Sequence, residues 1–486
     1  DGAISNFRVV KGTAVYTSSF IPPTKPLTSI SGTVLLCCNN SSTTGSTTTP
    51  VTINSNGDPT ASTDSPFDDP AGFKFGDNKE GIVKCGRYVG NGSSSAPPEI
   101  YLGWEPQWVM VKRIDGSGQD WVMVDSMRGM FRGLSQTPHL RANSNNAEQD
   151  TSYYRIDVSS GKGFAPFTTD NGLNGNGDEY IYMAIRRPDG YVGKPAEAGT
   201  DVFTMDTGNA STTIPAFDSN FPVDFGLQKT TGTVTDWAAV TRLMGPKELN
   251  TNTTDAEASG SAYVWDSNVG YTAASWADSG MFSWMWKRGQ GFDVSTYKAT
   301  GDALSVAHGL SQVPEMYWIK NRDDSKPWII YHKDLNSGTN PNQYYLQFDA
   351  DAEATISPYA DAPTATHFNI AASESWTNDT NDDYITMLFA SVTGISKVGS
   401  YTGTESSNSI TTGFQPRFVF VKCTSTAASW VVWDTTRGVG NYLLLNSNNP
   451  QGSASVVTFD STGFTLTGTS DSSNGSGESY IYYAHA

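Results

Sequence analysis

Long stretches of the chain alternate apolar and polar or small residues with a period of two. Trp108-Val-Met-Val111 and Arg417-Phe-Val-Phe-Val421 are clear cases. Such alternation places successive side chains on opposite faces of a strand. Gly and Pro precede each run, and clusters such as Asn171-Gly-Leu-Asn-Gly-Asn-Gly177 mark turns. No long stretch keeps a helical 3.6 period. Many short strands closed by turns predict an all-β chain of tandem antiparallel β-sandwich domains.

Self-comparison shows why the runs recur. One segment carries Tyr88, Leu102-Gly-Trp-Glu-Pro-Gln-Trp-Val-Met-Val-Lys112, Trp121-Val-Met-Val-Asp125 with Arg128-Gly129, and Gly177-Asp-Glu-Tyr180-Ile-Tyr-Met-Ala184. The last carries Tyr401, Gly413-Phe-Gln-Pro-Arg-Phe-Val-Phe-Val-Lys422, Trp430-Val-Val-Trp-Asp434 with Arg437-Gly438, and Gly477-Glu-Ser-Tyr480-Ile-Tyr-Tyr-Ala484. Between them lie Tyr297, Pro314, Trp318-Ile-Lys320, Trp328-Ile-Ile-Tyr-His332 and Asp383-Tyr384-Ile-Thr-Met-Leu-Phe-Ala390. Pro to Lys spans 6 residues in all three, and Pro to Trp spans 15, 14 and 14. Tyr297 and Tyr401 are 104 residues apart but Tyr88 and Tyr297 are 209 apart, so a degenerate copy is expected in the gap. Phe221 to Lys229, Trp237-Ala-Ala-Val240 and Met281-Phe-Ser-Trp-Met-Trp286 supply it. The organisation read from this is residues 67–198, 199–290 (degenerate), 291–394 and 395–486 as four repeats. Residues 1–66 precede them as the last part of another sandwich plus a Ser/Thr-rich linker, Ser41 to Ser65. There, Ile4 to Tyr16 reads as two short strands and Val34 to Cys38 as a buried one. The chain begins at Asp1, which reads as a cut through a longer product.

Composition narrows the function. The 486 residues carry 31 Lys plus Arg against 49 Asp plus Glu, a net charge of −18 that repels phosphate backbones. Nucleic acid is therefore not an expected partner. Aromatics reach 12%, too many for a disordered chain. No apolar run is long enough for a membrane-spanning helix. Four cysteines (Cys37, Cys38, Cys85, Cys423) are too few for a disulfide framework, and the five histidines show no zinc-ligand spacing.

Each recurrent residue has a structural and a functional reading. Trp121, Trp237, Trp328 and Trp430 are read as core residues, one planted in each sandwich, in preference to sugar-stacking platforms. Arg128 and Arg437 are expected to pair with Asp125 and Asp434 rather than bind anions. Lys112, Lys320 and Lys422 end strands and are expected to be solvated. Acidic loops at Asp302, Asp323-Asp324 and Asn378 to Asp383 offer oxygen ligands for calcium without an EF-hand pattern, and no other cofactor is expected. No nucleophile elbow, P-loop or paired-His element appears, so no catalytic residue is assigned and the chain is not expected to be an enzyme. The Asn-x-Ser/Thr sites at Asn40, Asn91, Asn209 and Asn252 matter only in a eukaryotic secretory route.

The ordered motifs at Gly86 to Gly92, Gly413 to Lys422, Trp430 to Gly438 and Gly175 to Ala184 resemble the repetitive β-sandwich domains of tail-fibre and other virion structural proteins of marine bacteriophages. The first 39 residues resemble the end of a concanavalin-like (laminin-G-type) domain. This resemblance implies a structural protein on the virion surface that extends as a rod and attaches to a host glycan or envelope protein. It also implies contacts with other virion proteins and self-association as a trimer. A bacterial adhesin or carbohydrate-binding array is the alternative, and a glycan-cleaving tailspike a weaker one.

Overall fold

The computed structural model describes residues 7–17, 27–38, 74–75, 81–130, 137–149, 154–159, 161–188, 192–193, 195–259, 263–348 and 358–486. It is all-β, with no α-helix among these residues and only single turns of 3-10 helix. Among the described residues no helix is long and apolar enough to cross a membrane. The chain divides into two units, residues 1–75 with 193–195, and residues 76–192 with 196–486.

In the smaller unit Phe7–Val10 pairs antiparallel with Thr33–Cys37. The second strand expected before Tyr16 is absent, residues 11–17 forming bends instead. The Ser41 to Ser65 linker lies outside the described residues.

The larger unit contains the four repeats, and in each the main sheet has the same strand order: opening, closing, proline and tryptophan strands. In the first repeat these are Val83–Val89, Glu179–Arg186, Pro106–Arg113 and Val122–Asp125. In the fourth they are Ser396–Thr402, Ser479–His485, Phe418–Cys423 and Val431–Asp434. The degenerate second copy keeps the order with Phe203–Thr207, Met281–Trp286, Phe225–Thr230 and Ala238–Thr241, and the third with Phe292–Lys298, Asp383–Phe389, Met316–Asn321 and Ile329–His332. A smaller sheet covers one face in every repeat, for example Leu304–Ala307 with His367–Ile370.

The recurrent tyrosines and glycines lock the ends of the sandwiches in repeats 1, 3 and 4. Tyr88 stacks on Tyr180, Tyr297 on Tyr384 and Tyr401 on Tyr480, each pair with ring centroids 4.9 Å apart. The opening tyrosine hydroxyls donate to loop carbonyls of Leu173, Thr377 and Ser473 at 2.6, 2.6 and 2.5 Å. The next residue in those loops, Asn174, Asn378 or Asn474, is buried and donates to further carbonyls. Gly403 lies beneath this loop, where a Cβ would come 2.1 Å from the carbonyl of Gly475. Only glycine allows that approach.

In repeats 2 to 4 both faces of the main sheet are buried. Val419 and Val421 fill the sandwich interior, whereas Phe418 and Phe420 join a second core outside it. Strands buried on both faces become nearly continuous apolar runs, and Met316-Tyr-Trp-Ile and Phe418-Val-Phe-Val are such runs. The outer faces of the three sheets meet in one shared core. Phe225 stacks on Phe292, Trp286 meets Phe418, and Phe389 meets Tyr483, at 5.7, 5.5 and 5.0 Å between centroids. The expected rod-like succession is replaced here by a closed trio of repeats 2, 3 and 4.

Candidate functional site

The tryptophan strand shows how the trio closes. Trp430 Nε1 donates to the carbonyl of Gln347 in repeat 3 at 3.1 Å, Trp328 Nε1 to Asn250 in repeat 2 at 2.7 Å, and Trp237 Nε1 to Leu444 in repeat 4 at 2.8 Å. The three acceptors are equivalent. Each follows the leucine that pairs with the second residue of the tryptophan strand, Leu346 with Ile330, Leu249 with Ala239 and Leu443 with Val432. The contact therefore runs 4 to 3, 3 to 2 and 2 to 4, a head-to-tail interface that closes after three steps. The tryptophans are core residues as expected, but of the shared core rather than of each sandwich. Trp121 differs, being only half-buried.

The lysines correct the expectation of solvation. Lys320 and Lys422 are both 0% exposed and Lys112 is half-buried; Lys229, at the same position of the degenerate copy, is 1% exposed. Lys229 donates to Asn448 of repeat 4 at 2.9 Å and Lys320 to Thr254 of repeat 2 at 3.0 Å, again equivalent carbonyls in the same cyclic order. Lys422 donates to Ala428 within its own repeat at 2.5 Å. Burial pushes the Lys229 ammonium down to about 8, against the pull of Asp236. In sequence these lysines look like strand-end surface residues; Lys229 and Lys320 are held instead by the neighbouring repeat.

The arginines pair as expected. Arg437 Nε contacts Asp434 at 2.6 Å, both nearly inaccessible, and Arg128 contacts Asp125 at 2.6 Å in a more open setting. Asp434 additionally accepts from Trp284 Nε1 of repeat 2 at 3.1 Å, and Arg437 lies over the Trp284 ring at 5.1 Å.

A buried charge cluster missed by the motif reading joins repeats 1, 2 and 3. Arg288 contacts Glu105 at 2.9 Å and Asp224 at 3.3 Å, Arg187 contacts Asp293 at 3.4 Å, and Arg242 contacts Asp224 at 3.3 Å. Three carboxylates face three guanidiniums. Burial opposes the charge on Asp224, yet Arg288, Arg242 and Arg187 hold its carboxyl below the usual range. Burial likewise opposes the Arg288 charge, but Glu105, Asp224 and Asp293 raise its pKa above normal. Arg187 and Arg288 stand at equivalent places after the closing strands of repeats 1 and 2, but no motif exposes the cluster, because the arginines and their carboxylates meet only through tertiary packing.

Beside it, repeats 1 and 3 enclose a cleft of about 780 Å³. Its wall includes Tyr101, Trp104, Lys84, Lys162, Arg186 and His367. Tyr101 is 70% exposed. His308, on the same wall, is pushed down to about 4 by burial. Leu310 N donates to its Nδ1 at 3.3 Å, so Nε2 carries the proton and donates to Thr364 at 3.2 Å. The positive charge of the cleft comes from lysine and arginine.

Of the calcium candidates, Asp324, Asp379 and Asp382 converge with carboxylate oxygens within 4.8 Å of one another, Asp302 and Asp323 standing outside the group. Burial and the neighbouring carboxylates raise the Asp382 pKa, while Asn321 donates to it at 2.7 Å and Lys326 approaches Asp379 at 3.5 Å.

No curated protein and no solved structure matches the chain. A family model described as a domain of unknown function, DUF7483, matches residues 14–187 and 199–486. The chain belongs to that family.

Proposed function

We propose that this member of the DUF7483 family is a non-enzymatic structural protein of a bacteriophage virion, a tail fibre or related appendage, and that the cleft between repeats 1 and 3 engages a host-surface glycan bearing anionic groups. One observation carries the reading: the recurrent tryptophans, arginines and buried lysines are engaged in packing, whereas the cleft presents an accessible tyrosine beside Lys84, Lys162 and Arg186. An aromatic face packs against the apolar face of a sugar while flanking cations pair with carboxylate or phosphate substituents. In a chain of net charge −18 such a cationic recess is a local exception. Rigid sheets beneath the loops keep the recess in shape.

Labelling of intact particles with an antibody to this chain is expected to decorate the tail or its appendages; particles without label overturn the virion assignment. Binding of the full chain to host envelope polysaccharide is expected to fall at least about tenfold in Tyr101→Ala and Lys162→Glu, each such factor corresponding to about 1.4 kcal/mol. Unchanged binding removes the cleft from the reading. Release of reducing ends from that polysaccharide would overturn the non-enzymatic assignment.

A further inference from the structure

The face by which repeats 2 to 4 join is present a fourth time. Strand register places Trp108, Met110, Lys112, Trp121, Met123 and Met183 of repeat 1 at the positions of Phe418, Phe420, Lys422, Trp430, Val432 and Tyr483 of repeat 4. Each of those six in repeat 4 is at most 1% exposed, and the equivalents in repeats 2 and 3 are equally buried. In repeat 1 all six are only half-buried, and Val83 and Cys85 on the neighbouring opening strand are exposed. The opposite face of the same sheet fills its own sandwich with Val109, Val111, Val122 and Val124. The outward apolar side chains are therefore not required by the repeat's own interior.

Repeat 1 also keeps both halves of the joint. Trp121 supplies the indole, and its backbone N–H is held by Asn143 Oδ1 at 2.9 Å, as Trp430 is held by Asn446 at 3.0 Å and Trp237 by Asn252 at 2.8 Å. Asn143-Ser-Asn-Asn146 repeats Asn446-Ser-Asn-Asn449, the loop that presents the acceptor for Lys229. Arg141 occupies the position of Leu444, the carbonyl that accepts from Trp237. Among the described residues no bond runs from the Trp121 indole to such a carbonyl.

We infer that the outer sheet face of repeat 1 is a homotypic docking surface on which two further copies of this chain place their own first repeats, giving a threefold homotrimer that reproduces between chains the joint made within each chain by repeats 2, 3 and 4. Trp121 of one chain then donates to the Arg141 carbonyl of the next, and Lys112 to the Asn145 carbonyl. A surface carrying donor and acceptor at different places builds a heterologous contact, which stays open unless its rotation closes. Within the chain the same sheet geometry closes after three members.

The test is the mass of the full 486-residue chain by light scattering, read with Met183→Glu and Trp121→Phe variants. The unaltered chain is expected at three times the 52.3 kDa of one chain. Met183→Glu is expected to show a threefold lower mass with an unchanged far-ultraviolet circular dichroism spectrum. Trp121→Phe, which keeps the packing but lacks the N–H, is expected to shift the monomer–trimer midpoint to higher concentration. A monomer or dimer mass for the unaltered chain overturns the inference, and so does a trimer that persists undiminished in Met183→Glu, which would place the joint elsewhere.

Discussion

The indole of Trp430 in repeat 4 is held by the backbone carbonyl of Gln347 in repeat 3, 3.1 Å away, and Trp328 holds Asn250 in the same manner. Each recurrent tryptophan of the trio thus stabilises a neighbour as much as its own sheet. Trp328→Ala is expected to cost roughly 3–5 kcal/mol, the range for deleting a buried large aromatic, because it opens a cavity and strips a carbonyl of its donor. Trp328→Phe is expected to cost less. Denaturant unfolding monitored by circular dichroism measures both, and a loss below about 1 kcal/mol for the alanine variant would contradict the shared core.

The two Asp–Arg pairs have the same sequence spacing and different surroundings. Asp434→Ala leaves Arg437, 4% exposed, without its partner and removes the acceptor of Trp284. The expected loss is roughly 3–5 kcal/mol, as for other buried pairs broken on one side. Asp125→Ala exposes Arg128, 20% accessible, to water, and a loss of roughly 1 kcal/mol or less is expected. Equal losses in the two unfolding midpoints would refute the difference in environment.

Gly403→Ala drives a Cβ to 2.1 Å from the Gly475 carbonyl and 2.8 Å from the Tyr480 ring. Backbone must move, and the Tyr401–Tyr480 stack with it, so a clear drop in melting temperature is expected. Gly232→Ala, with no atom within 4 Å of the new methyl, is the matched control and is expected to melt like the parent chain.

Acid is expected to loosen the trio through two histidines. Burial pushes His332 down to about 3, with Lys333 acting in the same direction, and His485 also to about 3, helped by Arg417. The ordinary value is 6.5, so between about 6.5 and about 3 the unfolded chain binds protons that the folded chain refuses. Stability is full above that window and falls as pH drops through it, by about 1.4 kcal/mol per pH unit for each histidine. Unfolding midpoints measured from pH 7 to pH 4 are expected to fall, and to fall less steeply in a His332→Gln, His485→Gln double variant. An identical slope in the double variant would remove these groups from the account.

The all-β class, the sandwich repeats and the partners of Arg128 and Arg437 were legible in the sequence because they rest on local facts. A period of two dictates strands, glycine before a strand dictates a turn, and an arginine three residues after an aspartate at a strand end lies within its reach. Even the degenerate second copy followed from a gap twice the repeat length, its Trp237 and Lys229 folding into the same places as their counterparts. What the alternation could not disclose is what lies beyond the sheet. Trp108-Val-Met-Val and Phe418-Val-Phe-Val have the same pattern, yet the outer face is half-buried in one and sealed in the other. A strand specifies its two faces, but the partner of the outer face is set by the packing of sheets about a hundred residues apart. For the same reason Lys320 and Lys422, which read as solvated, are buried, Lys320 against a loop of repeat 2, and Glu105, Asp224 and Asp293 meet their arginines only at a junction that no single repeat contains.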